Sequence, residues 1–142
     1  MASPREPFET IRPPLIEAVV VEDGSTRLAR VALEHDRELF VREAPIAQQG
    51  AARAPRVAAG AQATVAALNL LTPAAVRLAL QWSGVVQTDD QLPLVAIAVV
   101  EVDVAGVPMR YAGAVVTEGD FVESGARAAL DAVNRRLGVT GL

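Results

Sequence analysis

Six side chains in this sequence have the chemistry to hold a small anion or a hard cation: Arg42, Arg53, Arg56, Arg110, Glu101 and Asp103. A guanidinium offers a planar fork of N–H donors that matches a carboxylate or phosphate. Arg53 and Arg56 flank the start of an expected helix, whose free N–H groups favour an anion. Arg42 and Arg110 fall in two expected third strands. Glu101 and Asp103 are two residues apart, as are Glu34 and Asp36, so each pair shares a strand face and offers oxygen ligands. Each group also has a structural reading. The arginines have Glu38, Glu43 and Glu118 within reach for salt bridges, and acidic strand ends are ordinary solvent-facing features. His35, the only histidine, reads as a turn-surface residue, and Asp89-Asp90 as part of a polar loop. We expect no metal and no cofactor.

Composition removes several chemistries. The chain has no cysteine, so it has neither disulfides nor thiolate sites. It has no lysine, so Schiff-base chemistry and a P-loop lysine are excluded. The net charge of −4 argues against nucleic acid, which wants a clustered basic face. No apolar run approaches the roughly 18–20 residues of a membrane span. An acidic residue and two prolines occupy residues 1–7, where a signal peptide needs an apolar stretch. The expected compartment is the cytoplasm. Aromatics are scarce, so the core must be Val, Leu, Ala and Ile.

The elements that position these residues form a repeat. The only two asparagines, Asn69 and Asn134, close matching segments that begin at Gly60 and Gly125. The ten-residue segments 60–69 and 125–134 align without a gap and share five identities. An internal repeat of this kind governs the whole fold. The strands add a second match, in which Glu34 and Asp36 align with Glu101 and Asp103 at an offset of 67.

The spacing predicts strands over 15–22, 27–34 and 38–43, an irregular loop over 44–56 and a helix over 57–71. That loop is the best candidate for a functional segment. The second half predicts strands over 77–82, 94–104 and 107–116, with Leu78, Leu80 and Trp82 on one side of the first. A final helix starts after an Asp120 N-cap, with Glu123 completing a capping box. Arg135 and Arg136 fall in its last turn, and Gly138 at C′. Ala61, Val65 and Leu68 form the first buried stripe; Ala126, Leu130, Val133 and Leu137 form the second.

The expected fold is therefore α+β. Residues 1–14 are a proline-rich arm, and residues 15–142 are one domain of two βββα halves (15–72 and 76–142) related by a pseudo-twofold axis. Asn69 and Asn134 either bond each other across that axis or cap a neighbouring strand. Gly60 and Gly125 cost about 1 kcal/mol each against Ala inside a helix, which close packing would explain.

Two tandem βββα units resemble the C-terminal regulatory domain of 2-isopropylmalate and citramalate synthases. The nearest likeness is residues 99–137, with the Glu118-Gly119-Asp120 turn before an Ala-rich helix. The resemblance implies effector binding near that turn. It implies no catalysis, because the chain has no synthase barrel. A βββα run is also similar to double-stranded-RNA-binding domains, but Arg127, Arg135 and Arg136 face Glu123 and Asp131 on the same helix.

These observations lead to an expected non-enzymatic module that senses a small anionic metabolite or mediates assembly, working as a homo-oligomer, with a dimer as the simplest form. The alternatives are a carboxylate/Arg isomerase or lyase at an interface, and a subunit that binds a partner through the proline-rich arm.

Overall fold

The computed structural model describes residues 14–47, 53–87, 89–90 and 93–140. The chain runs β1 (Leu15–Asp23), β2 (Thr26–His35), β3 (Glu38–Pro45), α1 (Arg53–Leu71), β4 (Val76–Val86), β5 (Val95–Val104), β6 (Val107–Val116) and α2 (Phe121–Thr140). The strands form two antiparallel sheets, ordered β1-β2-β3 and β4-β5-β6. The molecule is thus two tandem βββα units of the α+β class. Most of the arm, residues 1–13, lies outside the described residues, as do 48–52 of the loop.

Period-two alternation sets the sheet faces. Ala96, Ala98, Val100 and Val102 of β5 are buried, while the residues between them are only half-buried. Ala29, Val31 and Leu33 play the same part in β2. Each helix packs on the second and third strands of its own sheet and on the first strand of the other unit. The two helices also pack on each other, so α1 is buried almost all round and the expected stripe of Ala61, Val65 and Leu68 is part of a wider buried surface. A helix so enclosed needs small residues on every side.

The helix crossing shows why both glycines are there. A methyl group built on Gly60 would overlap the carbonyl of Val122, and one on Gly125 would overlap the carbonyl of Val57. The contact is reciprocal, and both partners obey the same offset of 65 residues (57 to 122, 60 to 125). That is the signature of a pseudo-twofold axis through the crossing. Gly113 of β6 meets Ala128 and Ala132 just as closely, so α2 also lies tight on its sheet.

Several local expectations are corrected. Trp82 does not share a face with Leu78 and Leu80. Leu80 lies opposite Val100 but Trp82 lies opposite Val99, so Gln81 is the extra residue of a β-bulge. The bulge turns the indole to the helix-free face, where it covers Gly84 and is 52% exposed. α1 starts at Arg53 rather than residue 57, because the first turn makes no demand for the N–H that Pro55 lacks. With β3 reaching Pro45, the loop 44–56 shrinks from both ends.

Gly138 is not at C′, since α2 stays helical to Thr140. The capping box is half made. Asp120 Oδ1 accepts the Glu123 N–H at 3.0 Å, but the Glu123 carboxylate takes two bonds from Arg127. The strand match at offset 67 also fails. Both β2–β3 and β5–β6 close through two-residue turns with positive φ, Asp36 (52°) and Arg37 (65°), and Ala105 (52°) and Gly106 (85°). That geometry suits the twist of a hairpin. It equates residue 36 with 105, an offset of 69, and the longer strand-to-helix connection of the first unit brings the helices back to 65.

Gly60→Ala and Gly125→Ala should each lower stability by about 1–3 kcal/mol, because overpacking against backbone outweighs the better helix propensity of Ala. Gln62→Ala, on the exposed side of α1, should stay within about 0.5 kcal/mol. Urea denaturation checks this, and a stabilised Gly60→Ala would contradict the close crossing.

Candidate functional site

The structure disperses the residues with binding chemistry. Arg42 is exposed on edge strand β3, on the face that carries Phe40 and Ala44, and its Nη1 bonds the carbonyl of Val41 at 3.2 Å. Arg110 lies opposite Glu101 in the β5–β6 ladder, 3.9 Å apart, on the helix-free face of the other sheet. Asp103 is engaged in its own turn, accepting the Gly106 N–H at 2.8 Å. Arg53 and Arg56 occupy the first turn of α1. Arg53 sits over the ring of Phe121, 5.9 Å from its centroid, a cation–π contact that ties together the starts of the two helices. Arg56 Nε is buried without a hydrogen-bond partner among the described residues. Only Arg110 and Glu101 are brought together, as an exposed pair worth little in water.

The other titratable candidates are likewise local. His35 Nε2 lies 3.4 Å from Asp36 Oδ2 at the β2–β3 turn. Glu34 is in β2 while Asp36 is in the turn, so this pair does not share a strand face. The salt bridge sought for Arg42 goes elsewhere, because Arg30 holds Glu43 at 2.9 Å. Among the described residues no three His, Asp or Glu side chains cluster as a metal site.

Two surface depressions are formed by described residues. One, of about 250 Å³, borders the start of α2 and is lined by Val115, Val116, Glu118, Asp120, Glu123, Ser124 and Arg127. It adjoins the turn for which the resemblance implied an effector, but its one cation is already held by Glu123. The other, of about 540 Å³, wraps the edge of β3 at Arg30, Val41, Arg42 and Glu43. Sequence reasoning named Arg42 but missed Val41. Nothing local marks a valine as a site until its strand is known to lie at an edge.

The repeat residues do act, though unequally. Asn69 and Asn134 do not meet. The Asn69 amide grips Leu78 of β4 on both sides, donating to its carbonyl at 2.8 Å and accepting its N–H at 2.9 Å. Those groups point away from β5, so Asn69 stands in for a missing fourth strand. Asn134 is exposed and makes no such bond among the described residues. In the second unit Asp131 does a related job, accepting the outward N–H of Ala114 at 3.0 Å.

No family model matches the sequence, and no curated protein does either. The expected resemblance to the synthase regulatory domain therefore has no matched family or protein behind it.

Asn69→Ala should cost about 1–3 kcal/mol, since it strands two part-buried backbone groups. Asn134→Ala should cost under about 0.5 kcal/mol, as an ordinary surface change does. Thermal unfolding of the two variants distinguishes them, and equal losses would overturn the asymmetry.

Proposed function

We propose that this chain is a non-enzymatic assembly module that works as a homo-oligomer. The observation that supports this most is the side of each sheet that no described element covers. Among the described residues the helices pack on one face only. On the other, Val19, Leu39 and Val41 of the first sheet and Trp82, Val86 and Val116 of the second are each between 37% and 57% exposed. Between the latter three lie the half-buried Val95, Ile97 and Val99. Contiguous apolar surface of this kind is a mark of association, and the gain on covering it grows with the area removed from water. A metabolite sensor or a carboxylate/Arg enzyme would need its charged groups to converge, and here they are spread over both units.

Light scattering on the full chain should give a mass of two chains or more, falling on dilution. A monomer at every concentration up to the solubility limit would reject the reading.

A further inference from the structure

We infer that two copies pair through β3, antiparallel, with Phe40 of one copy opposite Phe40 of the other. This rests on the assembly reading above and adds the strand edge at which two copies join; the apolar face of the second sheet lies outside that contact.

Among the described residues four strand edges can be compared, and three carry a capping side chain, a proline, a bulge or a packed helix. On β4, the outward groups of Leu78 are taken by Asn69, and a bulge follows. On β6, the outward N–H of Ala114 is taken by Asp131, and Pro108, another outward position, has no N–H. β1 begins with a bulge between Leu15 and Glu17 and has α2 packed against it. Bulges, prolines and capping side chains are how natural sheets blunt their edges.

β3 is different. Its ladder with β2 closes at His35–Glu38, so Leu39, Val41 and Glu43 point their backbone groups away from β2. Leu39 is 55% exposed and Val41 38%. Among the described residues the Val41 carbonyl accepts from the side chain of its own neighbour, Arg42. Pro45, the structural counterpart of Ala114, ends the usable edge because it lacks an N–H.

The exposed edge is complementary to itself. Glu38-Leu39-Phe40-Val41-Arg42, laid antiparallel on a second copy about Phe40, sets Glu38 opposite Arg42, Leu39 opposite Val41, and Phe40 opposite Phe40. The outward groups of Leu39 and Val41 then exchange both of their hydrogen bonds, once on each side of the axis. Glu38, Phe40 and Arg42 share a face, so each carboxylate meets a guanidinium from the other copy. Opposite charges and paired aromatics are the side-chain pairs that stabilise adjacent strands. The register shifted by one pair in either direction loses the Glu–Arg match. Pairing joins two three-stranded sheets into one of six strands and fills the depression that wraps this edge.

Sedimentation velocity on the full chain, at low salt, tests the pairing. Arg42→Glu sets carboxylate against carboxylate and should weaken dimerisation about tenfold or more. The swap Glu38→Arg with Arg42→Glu restores the match and should recover the wild-type mass. Val41→Pro removes an N–H that β2 does not use, so it should dissociate the dimer while leaving the circular dichroism spectrum intact. Because the chain has no cysteine, Phe40→Cys introduces a single thiol, which should crosslink to its twin under mild oxidation. A dimer untouched by Arg42→Glu and Val41→Pro would overturn the pairing while leaving the assembly reading standing, whereas a monomeric wild type would overturn both. A swap that stays dissociated, or a Phe40→Cys that does not crosslink, would overturn the register.

Discussion

The two helices of this protein meet backbone to backbone, and most of the remaining architecture depends on that approach. With no side chain at Gly60 or Gly125, each helix axis comes close enough for a carbonyl of the other to occupy the space. The axes then leave little room between helix and sheet, so Ala59, Ala61, Ala63 and Ala67 on α1 and Ala126, Ala128, Ala129 and Ala132 on α2 are all essentially fully buried. The larger side chains that are fully enclosed come from both layers, with Leu33, Val31 and Val100 on the strands and Leu68, Val57 and Val122 on the helices. Close packing recovers in dispersion what two helical glycines lose in backbone entropy. The scarcity of aromatics in the composition is thus a consequence of geometry: the interior has few spaces large enough for one.

The same crossing makes the two units interdependent. Each helix leans on the first strand of the other unit, so neither half is complete without its partner. This arrangement still leaves four strand edges and two sheet faces to be dealt with. An amide covers Leu78 on β4, and a carboxylate at Ala114 and a proline at residue 108 blunt β6, whereas on β3 only the terminal Pro45 lacks an N–H. Equivalent positions in the two units solve the same problem differently: Ala114 has its N–H capped, while Pro45 has none. The two units therefore share the need for protection but not the residue that meets it.

The features legible in the chain are those set by short-range rules. Asp120 caps its helix because a carboxylate three residues ahead of a free N–H always can. The Gly–Asn match at 65 residues marked the helices correctly, since crossing partners in a pseudo-symmetric pair must keep both glycines. The Arg and carboxylate cluster expected as a ligand site was not legible, because convergence of side chains depends on where strands of different sheets end up. Trp82 was misplaced for a related reason. A bulge adds one residue to one strand only, and that shows in the register between strands rather than in the alternation within one. The strand match at offset 67 failed because acidic residues near hairpin ends recur for solubility, whereas the turn backbone at Asp36-Arg37 and Ala105-Gly106 is what defines equivalence.

The chain alone determined the order of elements, the tandem βββα plan and the placement of both helical glycines. Those follow from hydrophobic periodicity and backbone propensity, which act between residues close in sequence. Tertiary structure alone decided which sheet face the helices cover, which way Trp82 pointed, that Asn69 would serve a strand edge while Asn134 would not, and that β3 would carry no capping side chain among the described residues. Each of these depends on contacts between residues far apart in the chain, and pairwise register over such distances has no local signal for a reader of the sequence to detect.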